Sequence, residues 1–348
     1  MRIILSGGGT LGSVSPLIAI YEEIKKSQPP AEFLWLGTSD GPEESLIRSY
    51  NIPLKKIFSG KLRRYFSWRN FLDPFLIFFG FWQSLFIIFK FKPRAVLSAG
   101  GFVSVPVAWA SWLLRRPLII HQQDVRPGLA NKLMAPFANI ITVTFEKSLK
   151  DFPAQKTHLV GNPMRADLLT GSKEAGYKFF GLSAGLPIIL ILGGGTGALN
   201  LNNLVIESLE ELVQFCQVIH LTGGRKQKTA EHSRYRPYDF LTDQLKNAYA
   251  VADLVIARAG LGTLTELAVL QKPAVIIPIP ASHQQDNATE FFRNNAIALL
   301  DENDLSGRKF SQAIKTLLFD QVELANLSRN IAKMMPSDAA KKITAMIL

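Results

Sequence analysis

Three stretches of this chain combine glycine, hydroxyl and charged residues at spacings that suit phosphate and sugar chemistry. The first is "SGGGTLGSVSP", Ser6 to Pro16, which follows a short apolar run and reads as a strand, a glycine loop and a helix. The string "GGGT" at Gly7 to Thr10 returns at Gly193 to Thr196, again directly after a strand-like run. The third is "ARAGLGTLTEL", Ala257 to Leu267, where a strand gives way to a glycine turn and a helix expected to begin near Thr263. Glycine lets a backbone approach a ligand closely, and a helix start offers unpaired N–H groups and a positive dipole end to an anion. The N–H groups of Gly262, Thr263 and Leu264 are therefore expected to cradle a diphosphate. Gly7, Gly9 and Gly12 also satisfy the dinucleotide pattern G-x-G-x-x-G. An NAD site wants an acid at the end of the next strand, however, and "EFLWLGTSD" ends there in Gly37 and Thr38, with Asp40 late.

Around these loops stand side chains that could complete a site. Glu266 has two readings: it closes a capping box with Thr263, or its carboxylate accepts hydrogen bonds from a ribose diol. In "PASHQQDNA" the amides of Gln284 and Asn287 suit sugar hydroxyls, or belong to an ordinary polar loop. The segment "HQQD" brings His121 and Asp124 to the end of another strand-like run. The single cysteine, Cys216, excludes an internal disulfide framework and leaves too few thiols for a zinc or iron-sulfur cluster, so it reads as a small buried apolar residue.

The elements that must position these groups are strands alternating with helices. "RIIL", "EFLWLG", "AVLSAGG", "PLIIHQQ" and "IITVT" are followed in the second half by "PIILILGGG", "QVIHLTGG", "ADLVIARAG" and "PAVIIPIP". Such β-branched, non-alternating runs indicate parallel sheets covered on both faces. With 348 residues, 47% of them hydrophobic, the chain has room for two α/β domains of Rossmann type, with the joint near "VGNPMRADLL". Its start, "MRIILSGGG", is too short in apolar residues for a signal peptide, which predicts a cytoplasmic protein.

Charge is concentrated in one place. The net charge is +11, and between Lys55 and Arg94 nine basic residues face a single acid, Asp73. Nucleic acid is not the expected partner, because "FLIFFGFWQSLFIIF", Phe75 to Phe89, lies between the basic groups. Fifteen helical residues reach about 22 Å, less than the roughly 30 Å of a hydrocarbon core, and Asp73 with Pro74 is expected to interrupt the run. Phe75, Phe78, Phe79, Trp82, Phe86 and Phe89 form one stripe that suits a protein core. The opposite face, with Ile77, Phe81 and Ile88, is then expected to meet an anionic membrane surface.

Taken together, "GGTLGSVSP", "SAGGFVSVP", "HQQDVRPGLANK", "GNPMR", "GGGTGALNLN", "ADLVIARAGLGTLTELA" and "HQQDNA" resemble, in order and over nearly the whole chain, the MurG family of bacterial peripheral-membrane glycosyltransferases. That family makes lipid II from lipid I and UDP-N-acetylglucosamine. The resemblance implies a GT-B fold, two Rossmann-like domains with parallel sheets facing a deep cleft. Residues 1–163 would bind acceptor and membrane, 164–335 the UDP-sugar, and a helix in 336–348 would pack back on the first domain. It implies that Arg165, Gly195 and Leu261 to Thr265 (Leu261, Gly262, Thr263, Leu264, Thr265) meet the donor diphosphate, Glu266 the ribose, Gln284 the transferred sugar and the backbone near Thr242 the uracil. Thr10, Leu11 and Gly12 would line the acceptor side. It further implies an inverting displacement without a protein-bound metal or cofactor, an undecaprenyl-linked acceptor, the cytoplasmic membrane face and other cell-wall synthesis proteins as partners.

Three positions depart from the family pattern. Ser13 stands where the family has histidine, Gln122 where it has glutamate and Asp124 where it has asparagine. A serine hydroxyl is a poor general base near neutral pH, so the proton of the acceptor is assigned to Asp124 or to His121. A homologue that binds its ligands without turnover and a soluble UDP-sugar epimerase of the same fold are the alternatives; the epimerase would have no use for the oily basic helix.

Overall fold

The computed structural model describes residues 1–10, 12–27, 30–38, 41, 43–60, 69–193, 198–223 and 230–348, the side chains at 69 and 70 excepted. The chain divides into two compact units, Met1–Arg165 with Ser337–Leu348, and Ala166–Pro336. The first runs β1 (Arg2–Ser6), α1 (Ser15–Ser27), β2 (Glu32–Gly37), α2 (Glu43–Ser49), β3 (Leu54–Lys56), α3 (Arg69–Phe91), β4 (Ala95–Ser98), α4 (Ser104–Leu113), β5 (Leu118–Gln122), α5 (Leu129–Met134), β6 (Ile140–Val143) and β7 (Thr157–Leu159). The second runs α6 (Lys173–Phe180), β8 (Ile188–Leu192), α7 (Leu199–Leu212), β9 (Gln217–Leu221), β10 (Tyr235–Tyr238), α8 (Leu245–Val251), β11 (Leu254–Ala257), α9 (Leu261–Val269), β12 (Ala274–Ile276), α10 (His283–Arg293), β13 (Ala298–Leu299), α11 (Gly307–Phe319) and α12 (Gln321–Ile331). Helix α13 (Ala339–Ala345) returns to the first unit.

Among the described residues the first sheet has the order β3-β2-β1-β4-β5-β6-β7 and the second β10-β9-β8-β11-β12-β13, with every pairing parallel. The central strands read as unbroken apolar runs because both faces are covered. In the first unit Ile3, Leu5 and Leu97 pack toward α1 and α13, joining Leu17, Ile24, Ile343 and Ile347. Ile4, Val96 and Ile120 point the other way, onto Val103, Val107, Met134 and Ile88. In the second unit Ile189, Ile191, Val218 and Ile256 pack with Leu201, Leu209, Phe310 and Ile314, and Cys216 lies buried in the same core.

Helix α3 reverses the expected orientation. Phe75, Phe78, Phe79, Trp82, Phe86 and Phe89 are 52 to 67% exposed, whereas Ile88 is 0% exposed in the core and Phe81 and Ile87 pack against that core. Ile77 is only partly exposed. The inward side is set by small residues: Gly80 and Ser84 are buried, and a Cβ at Gly80 would overlap the carbonyl oxygen of Phe58. Phe58 also donates its N–H to Gln83 Oε1 at 2.8 Å, fixing residues 57–60 across the helix. Close approach requires small side chains, so the bulky aromatic rings are left on the outer side. Asp73 and Pro74 do not stop the helix, which spans 23 residues and, over Phe71–Phe91, is long and apolar enough by length and composition to cross a membrane.

Substitutions on the two faces of α3 should separate. Gly80→Ala forces the helix away from Phe58 and should lower unfolding stability by about 1 to 3 kcal/mol, while Phe86→Ser should change it by less than about 0.5 kcal/mol. Denaturant melts of the two variants check this assignment of faces.

Candidate active site

Ligands of open parallel sheets bind beyond the carboxyl ends of the strands, where the strand order reverses. In the first unit that point lies between β1 and β4, at the loops starting with Gly7 and Ala99; in the second it lies between β8 and β11, at Gly193 and Arg258. Two of the expected contacts, Leu11 and Gly195, lie outside the described residues.

In the first loop Thr10 and Gly12 are exposed, while Ser13 is buried. The Ser13 hydroxyl faces the loop's own backbone, with the carbonyls of Thr10 at 3.2 Å and Gly8 at 3.4 Å as acceptors. It braces the loop and is not poised to take a proton from a ligand. Beneath the loop lies a residue that motif reading missed, Glu43, whose buried carboxylate accepts the N–H of Gly9 at 3.1 Å and that of Thr38 at 3.0 Å. The glycines at 8 and 41 were its signal, since a Cβ at either would overlap that carboxylate.

The "HQQD" segment divides by depth. His121 is buried, with Nδ1 2.9 Å from Thr142 Oγ1 and Nε2 2.9 Å from Asn162 Oδ1. Burial pushes its pKa down to about 4, against the Asn162 bond, which favours the charged ring. Both ring nitrogens are engaged, and the neutral ring is a strut between β5, β6 and the "GNP" turn. Gln122 is buried too, and its Nε2 donates to the carbonyls of Asp124 at 2.7 Å and Arg126 at 3.2 Å while Oε1 accepts from Asn131 at 2.6 Å. A glutamate here could not donate either bond, so restoring the family residue at 122 would leave a buried carboxylate facing two carbonyls. Asp124, half-buried, rides on the loop that Gln122 pins.

In the second unit the helix after β11 starts earlier than expected. Gly260 is the N-cap, with φ −67° and ψ 131°, and α9 begins at Leu261. Leu264 already donates to Gly260 O at 3.0 Å, so the N–H groups without an intrahelical acceptor are those of Leu261, Gly262 and Thr263. A Cβ at Gly260 or Gly262 would meet nothing within 4 Å, which leaves this backbone open to a ligand. The side chains of Leu261, Leu264 and Thr265 point into the protein, and Thr265 donates its hydroxyl to Leu261 O at 2.8 Å. Thr263 is the third helical residue, so it cannot form a capping box with Glu266. Glu266 Oε2 instead accepts the hydroxyl of Tyr249, a buried residue of α8, at 2.7 Å.

Ahead of α9, Arg258 is buried, donates to Ile277 O at 3.0 Å and pairs with the carboxylate of Glu302, so it stabilises the turn. Gln284 lies in the first turn of α10 with its Oε1 accepting the N–H of Ile279 at 3.3 Å, which leaves the NH₂ to act as a donor. Asn287 is fully buried and donates to Ala259 O at 3.4 Å, tying α10 to the glycine turn. Thr242 is exposed in the turn before α8, its carbonyl accepting from Leu245 at 3.3 Å. Arg165 is half-buried and closes the first unit, although it was expected with the second. No group of three His, Cys, Asp or Glu residues suited to a metal ion occurs among the described residues.

Residues 3–143 and 188–343 match the Glycosyltransferase family 28 N-terminal and C-terminal domains, which puts these two parallel α/β units in the class of glycosyltransferases. The chain is 39% identical over 322 residues, 91% of its length and 89% of the relative's, to the UDP-N-acetylglucosamine--N-acetylmuramyl-(pentapeptide) pyrophosphoryl-undecaprenol N-acetylglucosamine transferase of Clostridium tetani. It is 36% identical to the enzyme of the same name from Clostridium kluyveri, covering 99% of this chain and 98% of that one. The chain belongs to the MurG family of glycosyltransferases. Its fold matches the crystal structure of Acinetobacter baumannii MurG with a TM-score of 0.73 at 24% identity, covering 99% and 98% of the two chains. A UDP-GlcNAc 2-epimerase from Neisseria meningitidis has the same TM-score at 13% identity, covering 100% and 99% of the chains, so fold alone does not separate the two activities.

The second unit repeats the histidine strut. His220, at the end of β9, is held by Tyr235 Oη at 2.8 Å and Asn202 Oδ1 at 3.0 Å, and burial pushes its pKa down to about 4. An unfolded histidine takes a proton near pH 6.5, while these two remain neutral in the folded chain until about pH 4. Their contribution is complete above about pH 6.5 and is lost as pH falls toward 4, at most about 3 kcal/mol for each. Urea melts at about pH 7 and about pH 4.5 should show this loss, and His121→Gln and His220→Gln should each flatten the profile.

Proposed function

We propose that the chain transfers N-acetylglucosamine from UDP-N-acetylglucosamine to the muramyl sugar of undecaprenyl-pyrophosphoryl-MurNAc-pentapeptide, converting lipid I to lipid II in peptidoglycan synthesis. The observation that carries this reading is the start of α9, three backbone N–H groups without an intrahelical acceptor on a glycine turn with Glu266 one turn further on, in a chain related over its length to transferases of this name. The second unit takes the donor. The N–H groups of Leu261, Gly262 and Thr263 bind the diphosphate and stabilise its growing charge as UDP leaves. Glu266, aimed by Tyr249, accepts from the ribose diol; Gln284 donates to hydroxyls of the transferred sugar; the backbone near Thr242 meets the uracil.

The first unit takes the acceptor along Thr10 to Gly12, and the acceptor hydroxyl attacks the anomeric carbon with inversion. Asp124 is the base. It offers a carboxylate on a loop fixed by Gln122 and Asn131, whereas Ser13 and His121 have structural bonds to keep. Purified protein incubated with UDP-N-acetylglucosamine and a lipid I analogue should yield the sugar-extended lipid by mass spectrometry. Asp124→Asn should slow transfer by about 10²- to 10⁴-fold with donor affinity little changed. A parental rate in that variant would remove Asp124 from the mechanism, and no product from the parent despite UDP binding would favour a binding module.

The aromatic face of α3 docks the protein on the cytoplasmic side of the membrane, beside its lipid acceptor. Exposed Lys90 and Lys92 stand at the end of the ringed helix, and the end of α4, which packs with α3, adds exposed Trp112, Leu113 and Arg115. The helix lies on the bilayer and does not cross it, because its Gly80, Ser84 and Ile88 side is packed on the first unit. Each phenylalanine fully removed from water contributes up to about 3 kcal/mol, and each nearby cation about 1 kcal/mol on an anionic leaflet. Changing Phe75, Phe79 and Phe86 together to Ser should abolish sedimentation with phosphatidylglycerol vesicles while thermal stability and UDP affinity stay at parental values; unchanged sedimentation would dismiss this face.

A further inference from the structure

Glu43 is a buried carboxylate to which the mechanism above gives no task. It is 1% exposed at the start of α2, and among the described residues it forms no ion pair with Lys or Arg. Its charge is instead met by short polar groups. Oε1 accepts the N–H of Thr38 at 3.0 Å and the hydroxyl of Thr38 at 2.5 Å, and Oε2 accepts the N–H of Gly9 at 3.1 Å. Side chains at positions 8 and 41 would overlap the carboxylate, so both glycines are required to admit it. Gly9 itself has φ +81°, and a Cβ there would lie 2.5 Å from Phe102.

In a dinucleotide-binding loop of G-x-G-x-x-G type, the N–H groups between the first strand and helix face a phosphate. Here the loop satisfies the same glycine pattern, yet Gly9 gives its N–H to an anion of the chain itself. We propose that Glu43 is a positioning residue of the first glycine loop, whose carboxylate holds the N–H of Gly9 and so keeps the loop in the form that meets the acceptor.

The proposal rests on the reading that Thr10 to Gly12 meet the acceptor, and the test separates the two. Glu43→Gln keeps the size and an oxygen for Thr38 but turns an NH₂ group toward the N–H of Gly9. It should lower kcat/KM for a lipid I analogue by about 10- to 100-fold, the effect of one lost charge-assisted bond, and leave KM for UDP-N-acetylglucosamine within about two-fold of the parent. Glu43→Ala should lose activity and melting temperature, and added formate should restore part of both where chloride at equal ionic strength does not. Parental acceptor kinetics in Glu43→Gln, a parallel rise in donor KM, or equal rescue by chloride would overturn the proposal. Thr10→Val is the separate check of the loop: a normal acceptor KM in Thr10→Val sinks the acceptor-side reading, whereas a raised one beside a parental Glu43→Gln sinks only the role of Glu43.

Discussion

Every strand of each sheet runs parallel to its neighbours, so each connection must cross a face of the sheet and bury one of its own sides there. Much of the molecule follows from that constraint. Helix α3 is one of these crossings, and its position is decided where the backbone of Phe58 comes against Gly80. Once that contact sets the inner side, six aromatic rings have no place in the core. The outer face is thus fixed by the shape of the inner one, and a surface suited to lipid arises on an element that the sheet needs in any case.

The same constraint places the chain's turning loops at the carboxyl ends of the strands, and the two units treat the resulting N–H groups differently. At α9 the first three have no acceptor within the helix, with glycine on either side of Leu261. At the loop after β1, one such group is already satisfied by Glu43. Two histidines, His121 and His220, brace neighbouring strands in the same manner, each between an asparagine carbonyl and a hydroxyl. A duplicated architecture can therefore keep its scaffold in common while one loop is open to an anion and the other carries its own.

The sequence disclosed the buried interior well and its margins poorly. All nine strand-like runs recognised from β-branched residues are strands, and they occupy the interiors of the two sheets. The strands that escaped notice are β3, β7, β10 and β13, the four sheet edges, whose "LKK", "THL", "YRPY" and "AL" are short and mostly half-exposed. An edge strand has one bare side, so hydrophobic runs do not mark it. On α3 the heavier aromatic stripe was the wrong guide, because Gly80 and Ser84 had already marked the packed face. The ordered motifs were enough to identify the family, but not which polar atoms were engaged: the bonds of His121 and that of Glu43 to Gly9 join residues far apart in sequence, and those of Ser13 and Gln122 go to backbone carbonyls, which residue type does not reveal.

Helix α13 packs beside α1, and Ile343 and Ile347 share a core with Leu17 and Ile24. The chain thus completes its first sheet, leaves to build the whole of Ala166–Pro336, and only then returns to cover the first sheet's remaining apolar face. During synthesis, the unit that emerges earliest from the ribosome is the one that must wait longest with its core uncovered. Its last covering helix is synthesised only after the whole of the unit inserted into it, so a chain stalled anywhere in the second half would carry a first unit still lacking α13.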